Sequence, residues 1–308
     1  AVCVDREAPE RRRLAAARRL AGLAAAGVPG ADPGDWYGLA PLTDPRPLRE
    51  QGEAVRVSPS KVEQFERCPL RWLLETAAGG GRGTTVSSAL GTLVHEVARQ
   101  VPDGDHAALG DLLEARLGEI GLPETWVGER DRQRALRMVG KLAEYAAQAR
   151  RAGRSLLAVE QDVQVRLGEL TVRGQVDRLE LDAQGRLVVV DLKTGSTQPS
   201  RSDVLRNAQL GVYQLAVEEG GFESVAPGVR ESGGAHLVQL GGDQKKVSVQ
   251  PQPALRADAE PDWARTLLDT VAAGMAAPEF EARSGPHCRM CSVKRSCPAQ
   301  AEGRQVTP

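Results

Sequence analysis

No run of about 18 apolar residues occurs in the chain and no signal peptide opens it, so the expectation is a soluble, cytoplasmic protein without a membrane partner. An excess of charge is also missing. The 40 Lys and Arg against 41 Asp and Glu leave a formal net charge of −1, which advertises no global field for nucleic acid. This excludes little, because an enzyme with an acidic metal site needs only a local basic channel. There is no dinucleotide or P-loop fingerprint; the Gly79–Gly83 run is a flexible loop without that spacing, so ATP hydrolysis by this chain alone is not expected. Lysine is sparse, confined to Lys61, Lys141, Lys193, Lys245, Lys246 and Lys294. The Arg, Ala and Gly load reads as coding bias and carries no function, yet it makes Lys193 conspicuous. The 308 residues suffice for one large or two small domains with a real core. They open on Ala, read either as loss of an initiator Met or as a fragment of a longer chain.

The informative stretch runs from Gly174 to Gly195, G-Q-V-D-R-L-E-L-D-A-Q-G-R-L-V-V-V-D-L-K-T-G. Two apolar, β-branched runs, Val176 to Leu181 and Leu187 to Leu192, flank a Gly-bearing turn, which predicts a β-hairpin. Asp177 lies near the start of the first strand. Asp191 and Lys193 end the second, two residues apart and therefore on one face of it. Two hard carboxylates can hold Mg²⁺ or Mn²⁺, and an ammonium beside them can steady a water or a phosphate oxygen. Singly, each would pass as an ordinary strand-end charge. Together, at the end of a run apolar enough for a buried central strand, they call for a purpose.

Around this hairpin the chain reads as follows. Arg6 to Ala26 is a surface helix with an apolar stripe at Leu14, Ala17 and Leu23, and Gly27 to Gly52 is a Pro-punctuated connector anchored by Trp36, Tyr37 and Leu39. Ser58 or Ser60 caps a helix with Val62, Phe65, Leu70, Trp72 and Leu73 on its apolar face and Cys68 on it. A helix through Leu90, Leu93, Val94 and Val97 carries His95. Gly110 to Gly153 forms two packing helices split near Gly121–Pro123. Leu156 to Val165 is a strand containing Glu160, equally readable as a solvent-facing acid. Asn207 to Val217 is helical and puts Gln209 and Tyr213 on one face. Ala235–Leu240 with Lys245–Val249 suggest a late hairpin, and Asp262–Ala273 a helix.

Cys288-x₂-Cys291-x₅-Cys297 leaves three thiols close together, with Cys68 the plausible fourth and Cys3 without partner spacing. Three Cys so near one another in a cytoplasmic protein argue for a metal rather than disulfides. Zinc remains open, although a zinc ribbon would offer a second close pair.

Gly174-Gln175-Val176-Asp177-Arg178 followed by Asp191-Leu192-Lys193-Thr194-Gly195 resembles the nuclease core of the PD-(D/E)xK superfamily, in its RecB-like branch. Gly91-Thr92 with His95 is similar to that branch's G-T-x-x-H, and Gln209 with Tyr213 to its Q-x-x-x-Y. The resemblance implies an α/β fold, a central mixed β-sheet flanked by helices in a restriction-endonuclease-like core over residues 55–308, preceded by an N-terminal helix and connector over 1–54. It implies that His95, Asp177 and Asp191 hold Mg²⁺ or Mn²⁺, that Lys193 joins Asp177 and Asp191 in catalysis, that Glu160 can assist as an accessory acid, and that Gln209 and Tyr213 border a single-stranded DNA path. Cys68 with Cys288, Cys291 and Cys297 resembles the [4Fe–4S] staple of AddB-like and CRISPR-associated relatives. The wording G-V-P-G-A-D-P-G-D-W-Y-G-L resembles the junction between motor and nuclease in AdnA-type helicase–nuclease subunits. That implies a helicase region in the same full-length chain, a second helicase–nuclease subunit as partner, and a role in resecting double-strand breaks. The alternatives are a stand-alone iron–sulfur exonuclease and, in another class, a non-catalytic DNA-binding scaffold.

Overall fold

The computed structural model describes residues 8–35, 46–49, 55–81, 83, 85–168 and 170–303. Cys3 and the connector anchors Trp36, Tyr37 and Leu39 lie outside the described residues. Two compact units are formed, one from residues 1–47 with 282–308 and the other from 48–281. In the first, α1 (Glu10–Ala25) starts directly after Pro9 and buries none of its residues, and Leu14 and Leu23 of its stripe are exposed. Short 3₁₀ turns at Pro286–Met290, Lys294–Ser296 and Ala301–Gly303 make up the rest of its described C-terminal part. No helix among the described residues is long and apolar enough to cross a membrane.

The second unit is a mixed sheet with helices on both faces, as the resemblance implies. Its strands are β1 (Val55–Val57), β2 (Ser155–Leu167), β3 (Leu170–Leu181), β4 (Leu187–Lys193), β5 (Ser232–Gln239) and β6 (Ser248–Gln252). β2 runs antiparallel along the whole length of β3, so it occupies one edge of that strand. β1, parallel to Leu170–Val172, and β4, antiparallel to Arg178–Leu181, must therefore share the other edge at opposite ends. Beyond β4 come β5, parallel, and β6, antiparallel.

The side-chain alternation of β4 sorts the helices. Val188, Val190 and Leu192 pack into one cluster with α4 (Val86–Gln100), α5 (His106–Arg116) and α6 (Trp126–Arg151). Leu187 and Val189 face the other way, onto Leu210, Tyr213, Ala216 and Val217 of α8 (Ala208–Glu218), which follows the short α7 (Arg201–Leu205). A strand apolar on both faces is one buried on both, which is why Leu187–Val190 reads as continuous rather than alternating. The third cluster joins β1 and the start of β3 to α2 (Pro59–Arg67), α3 (Pro69–Ala77), α8 and α9 (Trp263–Ala276).

Cys68 does not lie within a continuous helix as expected. Pro69 bars the α conformation from the residue before it, so Cys68 is extended (φ −164°, ψ 101°) and separates α2 from α3. The hairpin of β2 and β3, turned at Gly168 with φ +61°, and the short β1 are likewise features the periodicity did not signal.

Two irregularities position the site. Val176 and Leu179, three apart in β3, both bury in the α8-side cluster, which a regular pleat cannot arrange, so the strand changes face across Asp177. Opposite it on β2, between the pairs Val159–Arg178 and Gln161–Val176, Glu160 has φ +46°, the one positive φ at a non-glycine among the described residues. Such a conformation costs about 1–3 kcal/mol and persists where the surroundings over-determine it.

Candidate active site

β3 and β4 part at their last ladder pair, Arg178 with Val190. The next residues along each strand, Asp177 and Asp191, stand in the fork. The backbone N–H of Leu192, released from the ladder, donates instead to Asp177 Oδ2 at 2.6 Å. One carboxylate oxygen thus replaces a strand as hydrogen-bond partner and is held in place by it.

The other oxygen, Asp177 Oδ1, lies 3.4 Å from His95 Nδ1, and Glu160 Oε1 lies 3.6 Å from the same nitrogen. His95, Glu160 and Asp177 form, among the described residues, the one group of three whose ligand atoms all lie within 4.8 Å of one another. Burial pulls the His95 pKa down, but hydrogen bonding and charge from Asp177 and Glu160 outweigh it and lift it from 6.5 to about 10. Two carboxylates aimed at one imidazole make a site with surplus negative charge, and an imidazole nitrogen with two hard oxygens is a donor set that fits Mn²⁺ or Mg²⁺. Glu160 thereby stands in the closest group, and its unusual backbone is what turns the carboxylate toward His95's side of the strand pair.

Asp191 belongs to a second arrangement beside the first. It is 5% exposed, its Oδ1 accepts from Gln209 Nε2 at 2.8 Å, and its Oδ2 lies 2.9 Å from Lys193 Nζ without a well-aligned hydrogen bond. Lys193 Nζ in turn donates to Gln209 Oε1 at 2.8 Å. The ring closes because a side-chain amide offers a donor to the carboxylate and an acceptor to the ammonium. Burial pushes the Asp191 carboxyl above the ordinary carboxylate range against the pull of Lys193. For Lys193, burial acts to lower the pKa and the Asp191 charge overcomes it, so the ammonium persists. Oδ2 is buried beside the Lys193 ammonium and keeps lone-pair capacity that a metal cation would use.

Gln209 and Tyr213, expected to border a DNA path, are both buried. Tyr213 is 4% exposed, packs in the α8-side cluster and donates its hydroxyl proton to the Gln175 carbonyl at 2.6 Å, so its ring offers no face to a base. Burial, with the negative charge of Asp191 and Asp177, raises its pKa. Gln209 is 8% exposed and orients Asp191 and Lys193. Truncating such an outer partner commonly costs 10–100-fold. Gln209→Ala is therefore expected to lower kcat by about that factor with little change in KM; an unchanged kcat would show that the ring is not needed.

Two glycines of the short motifs have steric reasons. A Cβ on Gly91 would lie 2.7 Å from Thr194 Oγ1, directly after Lys193, and one on Gly174 would lie 2.9 Å from Pro59 Cδ. Each lets a helix approach the strand that carries the acids. Residues not singled out from sequence also surround the site. Glu63 of α2 accepts from Asn207 Nδ2 at 2.9 Å and adds negative charge near Asp191 and Lys193. Its only signal in the sequence is a place on the helix before Cys68. All four described cysteines are free thiols; Cys68 is buried in the larger unit, and Cys288, Cys291 and Cys297 belong to the C-terminal turns of the smaller.

A mixed sheet whose parting hairpin presents two aspartates and a lysine, with a histidine supplied by the flanking helix, defines a nuclease of restriction-endonuclease-like fold. A family model of the PD-(D/E)XK nuclease superfamily matches residues 56–298, and the chain belongs to that superfamily. No curated protein matches it. The solved structures it is similar to include one described as "Crystal structure of SSO0001", 14% identical, covering 82% of this chain and 89% of that one with a TM-score of 0.38.

Proposed function

We propose that the chain hydrolyses phosphodiesters of single-stranded DNA with Mg²⁺ or Mn²⁺, as the nuclease module of a helicase–nuclease that resects double-strand breaks. The observation that carries the chemistry is the His95–Glu160–Asp177 ligand group beside the ring of Asp191, Lys193 and Gln209. His95, Asp177 and Asp191 would hold the metal with Glu160. When bound, the metal polarises the scissile phosphate and lowers the pKa of the attacking water. Lys193 supplies a fixed positive charge for the oxygen that gains charge in the transition state, in a setting where burial strengthens it. Gln209 holds that ammonium and the Asp191 carboxylate in register. Leu192 N–H fixes Asp177.

The choice of single strands and of a motor partner is supported by sequence pattern alone, the junction-like wording of residues 27–39 and the order of the short motifs. The same holds for the iron–sulfur staple of Cys68, Cys288, Cys291 and Cys297. End-labelled single- and double-stranded oligonucleotides incubated with Mn²⁺, Mg²⁺ or EDTA test the activity. Cleavage of the single strand in metal and none in EDTA is expected; no cleavage in either metal would overturn the reading. Anaerobically purified protein should hold about four irons per chain, and Cys68→Ser should lose them. Stoichiometric zinc in colourless wild-type protein would replace the iron–sulfur assignment.

A further inference from the structure

One face of α6 is not accounted for by packing or by the nuclease centre. Trp126, Arg130, Arg134 and Arg137 follow one another at spacings of four, four and three, so they lie on a single face of the helix. Core residues of α6 such as Ala135, Val139 and Leu142 lie on the opposite side of the helix. Trp126 is 75% exposed, with the Arg130 guanidinium 5.6 Å from its ring centre.

Arg134 connects this face to the active site. It is half-buried, its Nη1 donates to Ser87 Oγ at 3.0 Å and its Nη2 to the carbonyl of Thr194 at 3.1 Å, the residue after Lys193. Among the described residues no carboxylate pairs with it. A half-buried guanidinium usually has an acid beside it to offset desolvation. Here neutral oxygens engage two of five N–H donors, which leaves a full positive charge and free donors at the mouth of the site.

Beyond it, Arg137 and Lys245 line a cleft of about 430 Å³. Lys141 in that cleft is committed to the carbonyls of Leu240 and Gly242, and Glu144 accepts from Val247 N and Gln148 Nε2. Arg137 and Lys245 are exposed and have no ion pair among the described residues; Asp243 is the acid on the same turn as Lys245.

We propose that this face of α6 is a track for a single-stranded polynucleotide leading to the active site. Arg134 and Arg137 grip consecutive backbone phosphates, and Trp126 stacks on a base at the far end. The inference rests on the nuclease reading and deepens it. Guanidiniums with neutral partners suit phosphate, which they can meet in a fork. An exposed ring in line with them suits an unpaired base, because a base inside a duplex has no free face to offer. Along the helix, Trp126 lies about 12 Å from Arg134, so a substrate must extend several nucleotides past the scissile bond to reach it.

The test is the affinity of a fluorescent single-stranded oligonucleotide for the whole chain in EDTA, measured over a range of salt. Arg134→Gln, which keeps a donor for Thr194, and Arg137→Gln should each reduce the slope of log K against log salt by about 0.7. Arg134→Lys should restore it. Trp126→Ala should weaken binding about tenfold without altering the slope, and only for oligonucleotides long enough to reach it. Thermal midpoint and Mn²⁺ affinity should match wild type in all four. Unchanged slopes in both Gln variants, or lost binding that follows a lowered thermal midpoint, would overturn the track while the nuclease reading stands. Wild-type protein that neither binds nor cuts single strands would overturn the nuclease reading itself.

Discussion

Asp191→Asn and Lys193→Ala should each lower the cleavage rate by about 10²–10³-fold, with the fold retained. Asp191 is buried, with Oδ1 held by Gln209 and Oδ2 beside the Lys193 ammonium, so its charge is fixed at the fork where a metal cation would meet it. The amide of Asn fills the same volume and keeps an acceptor for Gln209, but brings no charge to the metal. Lys193 stands for a different loss. Its ammonium is fixed by Asp191 and Gln209, and removing one preorganised charge of this kind typically costs 10²–10³-fold in kcat. Single-turnover cleavage with saturating Mn²⁺, alongside thermal melts, separates chemistry from folding. Undiminished cutting by either folded variant would show that the active site lies elsewhere.

Glu180→Ala should cost about 3–5 kcal/mol of stability, the usual consequence of deleting one partner of a buried ion pair. Glu180 is 0% exposed on β3 and meets Arg178 Nε at 2.6 Å, Arg154 Nε at 3.2 Å and the Tyr145 hydroxyl at 3.1 Å. One carboxylate therefore compensates two guanidiniums in the interior. Arg178 also donates to the Pro102 carbonyl at 2.7 Å, which Ala at 180 leaves as its remaining anchor. At about 2–4 °C per kcal/mol for a domain of this size, the melting midpoint should fall by roughly 10 °C. Below that temperature the nuclease should still cut, because Glu180 is not among the partners of His95, Asp177, Asp191 or Lys193. An unchanged midpoint would mean that water reaches the cluster.

The hairpin was legible from sequence because its information is local. β-branched runs around Asp182-Ala183-Gln184-Gly185 pair with each other, and a period of two places Asp191 and Lys193 on one face whatever else the chain does. The cap of α2 was local too: Ser58 accepts from Lys61 N. Cys68 shows where local reading failed within its own range. An apolar helical period continued across it, and the single steric rule of the residue before proline overrode the period.

Other features depend on contacts between distant parts of the chain. Nothing near Gln209 or Tyr213 in sequence tells whether their face meets solvent or β4; the packing of α8 on the sheet decided it, with Gln209 bonded to Asp191 and Tyr213 in the α8-side cluster. Glu160 was an acid in a strand until its left-handed backbone, opposite the face change at Asp177, brought it to His95. By itself, the sequence determined the chemistry available: two aspartates, a lysine and a histidine in short motifs whose geometry follows from strand and helix periods. Only the tertiary structure decided which of these groups converge and which polar side chains support them, because both depend on where β3 leaves β4 and on how α4 and α8 pack across the two faces of the sheet.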